Sequence, residues 1–338
     1  MQALVIKGSR NIWTVKPLEN PLPQPFIECP IKGKVLKGVE GYYNPLAPGD
    51  IVNLEDDKIV SVEPRRNVFS RLNQKGAGSK RYPDMAKQSE VKYQDASSSA
   101  PQLLAANIDI VLCMVTPASP PFRPRFLDRL LLQADVAGVP AMLMCNKWDL
   151  SKKPAENGIA DTLIDIEERL EDAHRLGYPV FRISCKTGEG IEDLKQVLVN
   201  KTSVLTGQSG VGKSSFLNTL FPGLNIKTGE LNEKYNRGSH TTSQSCLYQS
   251  EKDAATPISI IDTPGIRLLL PAGVSADTLI LYMREFAPLA GKCSFGMSCT
   301  HTVEPGCKIL EAVNAGYIHE DRYESFLRIR EELKELSR

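Results

Sequence analysis

A glycine-rich segment in the second half of the chain constrains the fold most. Residues 207–214 read Gly-Gln-Ser-Gly-Val-Gly-Lys-Ser, which fits the pattern Gly-x-x-x-x-Gly-Lys-Ser in full. A short apolar run at 203–206 precedes the segment, and a helical pattern at 213–220 follows it. Glycines let backbone N–H groups turn inward around phosphates, and a helix N-terminus adds positive potential. The sequence therefore predicts an α/β domain in which a phosphate-binding loop joins a strand to a helix.

Strand and helix patterns alternate from residue 107 onward. Strands are predicted at 108–115, 141–145, 180–184, 203–206 and 258–261, and helices at 123–137 and 159–173. Such alternation predicts a parallel sheet with helices on both faces. Ligands of these sheets bind at the carboxyl ends of the strands. The segments that follow the strands are therefore where we expect the chemistry.

Three further motifs follow predicted strands. Residues 146–149 read Asn-Lys-Trp-Asp, and the Asp149 carboxylate can accept hydrogen bonds from guanine N1–H and N2–H, a pair that adenine lacks. Ser-Cys-Lys at 184–186 would place a backbone N–H near guanine O6. Asp-Thr-Pro-Gly at 262–265 would bring Asp262 to Mg²⁺ through water and the Gly265 N–H to the γ-phosphate. Four motifs at four strand ends predict a domain that binds and hydrolyses GTP.

The order of these motifs is unusual. A phosphate loop normally opens a GTPase domain, whereas here the motifs at 146–149 and 184–186 precede it and the motif at 262–265 comes last. We interpret this order as a circular permutation. The chain then leaves the domain next to Gly265, the predicted γ-phosphate sensor. This position predicts that nucleotide state is coupled to the C-terminal segment.

Each motif residue has a predicted role at the nucleotide. Asn146 is expected to tie the base-reading motif to the phosphate loop, and the stem of Lys147 to cover the base. Lys213 is expected to bridge the β- and γ-phosphates. The predicted magnesium ligands are Ser214, Thr242 and Asp262. The predicted nucleotide-binding set is Asn146, Lys147, Asp149, Ser184, Cys185, Lys186, Gly207, Gln208, Ser209, Gly210, Val211, Gly212, Lys213, Ser214, Ser215, Asp262 and Gly265.

A polar segment between phosphate loop and sensor is suited to a switch. It reads Arg-Gly-Ser-His-Thr-Thr at 237–242, and Thr241 or Thr242 is placed to close over Mg²⁺ and the γ-phosphate. An ordinary loop threonine is the alternative. Ile266 stands where many GTPases carry the glutamine that orients the attacking water, so slow intrinsic hydrolysis is expected. His240 is the candidate for that task, with a surface histidine as the alternative; the predicted catalytic residues are His240, Thr241, Thr242 and Lys213.

A cysteine and histidine cluster marks the C-terminal segment. Cys293, Cys299, His301 and Cys307 fall within fifteen residues. Three thiolates and one imidazole complete a tetrahedral Zn²⁺ site with no position left for water, which indicates a structural role. Helical patterns flank the cluster at 279–286, 308–315 and 322–336.

The N-terminal part has a different pattern. Residues 1–68 contain short β-segments separated by Gly, Pro and Asn turns, which favour a small barrel of OB type; any small antiparallel barrel without a binding role is the alternative. Residues 73–102 are polar and predict a flexible linker or insert. Between Arg65 and Lys92, eight basic residues face two acidic ones, which fits a nucleic-acid partner or a solvated linker.

These patterns predict a multidomain chain. Its parts are an OB-like β-barrel at 1–68, a flexible linker or insert at 69–106, a circularly permuted α/β P-loop GTPase domain at 107–270 and a mostly helical zinc-binding domain at 271–338. No apolar run approaches the roughly 20 residues of a membrane helix, and no signal peptide is recognisable. We expect a cytoplasmic monomer without a membrane partner, or the processed form of an organellar protein.

With its motifs in this order, the chain resembles the circularly permuted small-ribosomal-subunit-dependent GTPases (the RsgA/YjeQ family). The resemblance covers nearly the whole chain, including the spacing of the zinc ligands. It implies a late-acting factor in 30S subunit maturation, with a GTPase that the subunit stimulates and flanking domains that contact ribosomal RNA. Family members carry Arg-Gly-Arg-His-Thr-Thr in the switch, where this chain has Ser239 in place of the second arginine. An RNA-binding scaffold that hardly turns over GTP is the alternative, whereas a P-loop metabolite kinase conflicts with Asn146 and Asp149.

Overall fold

Five short strands form the N-terminal part of the computed structural model. The structure describes residues 1–9, 12–18, 26–33, 36, 39, 41–72, 100–151, 159–224, 226, 245–250, 256–263 and 270–336. The strands are β1 (Gln2–Ser9), β2 (Ile12–Pro17), β3 (Ile27–Pro30), β4 (Ile51–Glu55) and β5 (Lys58–Val62). β1 pairs antiparallel with both β2 and β4, which pair in turn with β3 and β5. A parallel bridge from Ile31 to Ile59 joins the end of β3 to β5, over a core that contains Trp13 and Leu46.

The two ends of the predicted linker are folded. Antiparallel strands β6 (Val68–Arg71) and β7 (Gln102–Ala106) pair with each other, and Phe69 and Leu104 are fully buried. The apolar side chains of Phe69 and Leu104 pack into the core of the central sheet. Residues 73–99, which include most of the basic segment, lie outside the described residues.

The central part alternates strands and helices as predicted. Its elements are β8 (Ile110–Val115), α1 (Pro124–Ala137), β9 (Ala141–Cys145), α2 (Ile159–Arg175), β10 (Val180–Arg182), α3 (Ile191–Leu198), β11 (Thr202–Gly207), α4 (Lys213–Leu220), β12 (Cys246–Gln249) and β13 (Ser259–Asp262). Five strands are parallel in the order β10-β9-β8-β11-β13. Every residue of β8 is buried, as expected for a central strand that helices cover on both faces.

The sheet is mixed rather than wholly parallel. β12 adds to β13 in antiparallel orientation and pairs with β1 through Lys7 and Cys246, so the N-terminal strands continue the central sheet. The sequence pattern does not predict β12, because the strand has only four residues and only Leu247 among them is buried.

The C-terminal segment at 271–336 (the tail) has less regular structure. It contains 3-10 helices at Leu279–Tyr282, Ala287–Leu289 and Gly296–Ser298, followed by α5 (Lys308–Asn314) and α6 (Glu320–Leu336). The single helix predicted at 279–286 is wrong, because Met283 adopts an extended backbone that places its side chain in the local core. α1 lies between the two cores: Leu127 and Leu131 belong to the core of the sheet, whereas Leu132 belongs to that of the tail.

In the described part of the chain, no helix combines the length and the apolar character that crossing a membrane requires.

Candidate nucleotide site and metal centre

The phosphate-binding loop lies where the strand order reverses. It follows β11, which has β8 on one side and β13 on the other. Two of its glycines are fixed by close approach. A Cβ at Gly207 would lie 2.6 Å from the Met114 carbonyl oxygen, and Gly212 has a φ of 102° with a Cβ position 2.3 Å from Asn146 Nδ2. The loop therefore packs directly on β8 and on the base-reading motif, which only glycine permits.

Lys213 begins α4 and folds back over the loop. Its Nζ donates to the carbonyl oxygens of Gly207 at 2.9 Å and Gln208 at 3.2 Å. Burial lowers the pKa of Lys213, while nearby Asp262 opposes that shift. The ammonium thus lies inside the loop, where a phosphate oxygen can replace the carbonyl contacts.

Asp262 ends β13 beside this lysine. The residue is 5% exposed, and burial raises the pKa of its carboxyl to about 6, although Lys213 favours the charged form. Its Oδ1 is buried and has no hydrogen-bond partner among the residues that the structure describes. The neighbouring Thr263 donates through Oγ1 to the Leu205 carbonyl at 2.9 Å and so ties β13 to β11. A buried carboxylate oxygen without a protein donor fits a hydrated Mg²⁺, which takes oxygen ligands and keeps several waters.

Asn146 connects three of the motifs. Its Nδ2 donates to the Val211 carbonyl of the phosphate loop at 2.9 Å, and its Oδ1 accepts from the Cys185 N–H at 3.2 Å. The side chain is 1% exposed, so both bonds are shielded from water. One amide therefore fixes the ends of β9, β10 and β11 against one another.

The carboxylate of Asp149 is held by Ser184. The Ser184 hydroxyl donates to Asp149 Oδ1 at 2.7 Å and accepts from the Thr187 N–H at 3.2 Å. These two hydrogen bonds fix the orientation of the Asp149 carboxylate relative to the loop that follows β10. No sequence motif indicates Thr187, because its contribution is a backbone N–H that any residue could supply.

Lys147 joins the phosphate loop to another loop. It adopts a left-handed conformation with a φ of 62°, and its Nζ donates to the Ser119 carbonyl at 2.5 Å and the Gly210 carbonyl at 2.8 Å. Ser119 belongs to the segment between β8 and α1, which no sequence motif marked because it contributes a backbone oxygen. Trp148 is 9% exposed and packs in the core of the sheet. The Arg182 guanidinium lies over its ring, 5.3 Å from the ring centroid.

Several predicted site residues lie outside the described part of the chain. They are His240, Thr241, Thr242 and Gly265, together with Ile266. The remaining members of the predicted nucleotide-binding set belong to the phosphate loop, the start of α4, the ends of β9 and β13, or the loop after β10.

The cysteine and histidine cluster converges at a second centre. The ligand atoms of Cys293, Cys299, His301 and Cys307 all lie within 4.8 Å of one another, and all four residues are buried. His301 Nδ1 is 3.6 Å from Cys293 Sγ and 3.4 Å from Cys307 Sγ, and these two sulfurs are 3.9 Å apart. A tetrahedral Zn²⁺ site with bonds of about 2.0 to 2.3 Å spaces its ligand atoms about 3.5 to 3.8 Å apart. The donor set therefore fits zinc, and three of its ligand atoms lie close to the tetrahedral spacing.

Neighbouring groups support these ligands. The Lys308 N–H donates to Cys293 Sγ at 3.3 Å, and the Tyr323 hydroxyl of α6 donates to the His301 carbonyl at 2.7 Å. Burial lowers the pKa of His301, which favours the neutral imidazole that a metal requires. The centre thus joins α5 and α6 to the 3-10 segment.

This arrangement defines a class of protein: a P-loop GTPase in which the base-reading motifs precede the phosphate loop. The family model described as RsgA GTPase matches residues 85–270, more than half of the chain. The chain belongs to the RsgA GTPase family, which confirms the resemblance predicted from its motifs, and it is therefore a GTP hydrolase.

Relatives match over almost the full length. The "Small ribosomal subunit biogenesis GTPase RsgA" of Bacteroides fragilis is 34% identical, with 99% of this chain and 98% of the relative covered. The protein of that name from Gemmatimonas aurantiaca is 32% identical over 98% of this chain and 96% of its own. The crystal structure of YjeQ from Thermotoga maritima is similar with a TM-score of 0.66, 29% identity and 98% of each chain covered. The circularly permuted GTPase YloQ shares the fold at a TM-score of 0.63, 22% identity and coverage of 99% and 95%.

Proposed function

We propose that the protein hydrolyses GTP as a late-stage maturation factor of the small (30S) ribosomal subunit, with activity that the subunit stimulates. Nucleotide state would control its binding to the subunit and its release. The single observation that carries the GTPase part is the Asn146 side chain, which bonds both the phosphate loop and the loop after β10. The ribosomal part is supported by the names of relatives that match nearly end to end.

The described residues support a division of tasks at the nucleotide. Asp149, held by Ser184, would accept the two guanine N–H groups, and the Cys185 region would face guanine O6. An adenine in the same place would leave the half-buried Asp149 carboxylate without the two base N–H donors, which costs about 1–3 kcal/mol. Lys213 would exchange its carbonyl contacts for β- and γ-phosphate oxygens, while the N–H groups of residues 208–215 surround the phosphates.

Mg²⁺ fits the same edge of the sheet. Asp262, whose Oδ1 has no partner in the described part of the chain, would hold the ion together with Ser214 and Thr242. When bound, Mg²⁺ neutralises charge on the β- and γ-phosphates. Asp262 must lose its proton to serve, and Lys213 beside it favours the charged carboxylate.

Hydrolysis requires a group that orients water, and this task is proposed for the switch. His240, Thr241 and Thr242 are the candidates, together with the γ-phosphate contact of Gly265. Because Ile266 replaces a glutamine, the turnover of the isolated protein should be slow.

The flanking parts would provide the contacts to ribosomal RNA. For residues 1–68, an OB-like barrel is supported by the strand order β3-β2-β1-β4-β5 with the Ile31–Ile59 bridge between its ends. The proposed parts remain this barrel, a linker at 69–106, the GTPase domain at 107–270 and a zinc-bearing domain at 271–338. Within the last, Zn²⁺ would be structural. A cytoplasmic location and a monomeric state stay predictions.

A turnover assay with purified small subunits tests the proposal. We expect GTP turnover to rise many-fold when 30S subunits are added, and the gain to fall steeply between two salt concentrations because phosphate contacts release counterions. Large subunits at the same concentration provide the matched control. Lys213→Ala protein reports any contaminating GTPase.

Equal turnover with and without small subunits would contradict the proposal. GTP binding without turnover, together with salt-sensitive subunit binding, would favour the RNA-binding scaffold instead. Equal affinity for ATP and GTP would point to a metabolite kinase.

A further inference from the structure

A fully buried carboxylate lies at the contact between α1 and the C-terminal segment. Asp128 is 0% exposed and bonds the Arg322 guanidinium of α6 at 3.1 Å and the Ser325 hydroxyl of α6 at 2.5 Å. On its other side it accepts from Arg169 of α2, which is 2% exposed. One side chain of α1 thus holds both a GTPase helix and the tail.

The charges around Asp128 leave little freedom. Arg322 also binds Glu285 at 2.9 Å, and Arg169 also contacts Asp172 at 3.3 Å. Buried ions of this kind are stable only while their partners keep good geometry, because each unpaired charge carries a desolvation penalty of several kcal/mol. The helices must therefore move together or break the network.

A second tether lies at the other end of α1. Asp135 accepts from Arg284 of the tail at 2.9 Å and from the Tyr178 hydroxyl. The Arg284 guanidinium lies 3.7 Å from the centroid of the Tyr178 ring and also donates to the Leu176 carbonyl. The tail is thus fixed to α1 along the length of that helix.

The start of α1 leads directly to the phosphate loop. The preceding segment 116–123 contributes the Ser119 carbonyl that Lys147 binds together with the Gly210 carbonyl. Phe122 and Arg123 of this segment line a small cavity with Gln208 and Val211 of the phosphate loop. A shift of α1 along its axis would therefore displace contacts of the loop.

We propose that Asp128 is a positioning residue through which docking of the zinc-bearing tail sets the nucleotide affinity of the GTPase site. The connection runs from Arg322 and Ser325 through α1 to segment 116–123 and Lys147. It rests on the proposed guanine-nucleotide site but not on ribosomal stimulation. It is separate from the covalent link at 264–269, and coupling of this kind acts equally in both directions.

Equilibrium binding of fluorescent GDP to the full-length protein tests this inference. Ser325→Ala removes one tail contact without leaving a charge unpaired, and Asp128→Asn weakens both arginine contacts. Glu324→Gln is the matched control, because its exposed pair with Arg125 joins the same two helices. We expect Ser325→Ala to weaken GDP binding about threefold to tenfold, Asp128→Asn to weaken it more, and the control to leave it unchanged.

Hydrogen exchange distinguishes a positioning role of Asp128 from a role in protein stability alone. Amides of residues 116–123 should exchange faster in Ser325→Ala, and saturating GDP should slow exchange in α6 of the wild type more than in the variant. Wild-type GDP affinity and unchanged exchange at 116–123 in a folded Ser325→Ala protein would overturn the inference. If Asp128→Asn does not fold, the serine variant decides alone. A wild type that fails to bind GDP would instead contradict the proposed nucleotide site.

Discussion

The nucleotide site and the zinc centre are built in opposite ways. The motifs of the nucleotide site span residues 146–262 and are brought together by a five-stranded parallel ladder and by Asn146. The four proposed zinc ligands fall within fifteen residues and lie between 3-10 turns and the short helix α5. The first site therefore depends on the tertiary fold. The second is formed by one short segment of the chain, with little regular secondary structure around it.

The difference predicts what each ligand does for the protein. The chain itself forms the hydrogen bonds and the core of the central sheet, so a bound nucleotide would supply chemistry rather than folding free energy. Cys293, Cys299 and Cys307 belong to the core of the tail, and without metal they become three buried thiols beside a buried imidazole. Zinc bound at this cluster would therefore supply folding free energy, and the two sites should respond to ligand loss in different ways.

Loss of a zinc ligand should have the largest effect. Cys299→Ser protein should lose its zinc and the structure of the tail, because binding energies of structural zinc sites reach about 10 kcal/mol or more. Metal analysis should fall from one zinc per chain to none, and hydrogen exchange should show lost protection at 271–336. The central sheet should keep its protection. Cys246→Ser, a partly buried cysteine outside the cluster, is the control, and one retained zinc per chain in Cys299→Ser would refute the assigned ligand set.

Removal of the phosphate-loop lysine should have an effect nearly as large, but on nucleotide binding alone. Lys213→Ala should weaken GDP and GTP affinity about a hundredfold or more, because it deletes a charge-assisted donor to the phosphates. Its melting temperature without nucleotide should change little, because the half-buried ammonium donates to the Gly207 and Gln208 carbonyls, and the attraction to Asp262 that it loses is offset by the burial cost that its removal relieves. Titration of fluorescent GDP measures the loss, with Lys195→Ala on α3 as control. A variant that binds GDP as the wild type does would place the phosphates elsewhere.

Asp262 tests the cost of a buried carboxylate at the edge of the sheet. Burial raises its pKa to about 6 from an ordinary 3.8, so the folded state binds this proton more tightly than the unfolded state. That contribution to stability is complete below about pH 4 and is lost as pH rises through about 6. Without Mg²⁺ and nucleotide, Asp262→Asn should therefore be more stable than the wild type at pH 8 by about 1 to 3 kcal/mol.

Urea unfolding at pH 5 and pH 8 measures this difference. The gain at pH 8 should shrink at pH 5, and the exposed Asp193→Asn should show no such pattern. The same Asp262→Asn protein should lose the Mg²⁺-dependent part of its nucleotide affinity. A variant that is less stable than the wild type at pH 8 would mean that the charged carboxylate has a stabilising partner.

The sequence predicts the parts of both sites that depend on local patterns, and it does not predict the parts that depend on contacts between distant segments. The phosphate loop, the strands before it and the zinc ligands follow from local patterns: spacing, periodicity and residue type. The Ser119 carbonyl and the Thr187 N–H do not, because any residue supplies a backbone group and only the fold decides which one comes close. The pairing of β1 with β12 and the buried Asp128 network likewise depend on contacts between segments far apart in sequence. The 3-10 turns at 279–289 replaced a predicted helix because tertiary burial of Met283 overrides local propensity.

The smallest effect should come from the hydroxyl that orients the base-reading carboxylate. Ser184→Ala removes the bond to Asp149 and leaves the Thr187 N–H without its acceptor, which should cost about 1 kcal/mol, or roughly fivefold in GDP affinity. ADP affinity should not change, because adenine does not use this carboxylate. Ser203→Ala is a matched control: that hydroxyl is buried in β11 and has no hydrogen-bond partner among the described residues. If GDP and ADP affinity fell together in Ser184→Ala, the serine would support the fold of the loop rather than the choice of base, and the nucleotide site would share the local character of the zinc centre.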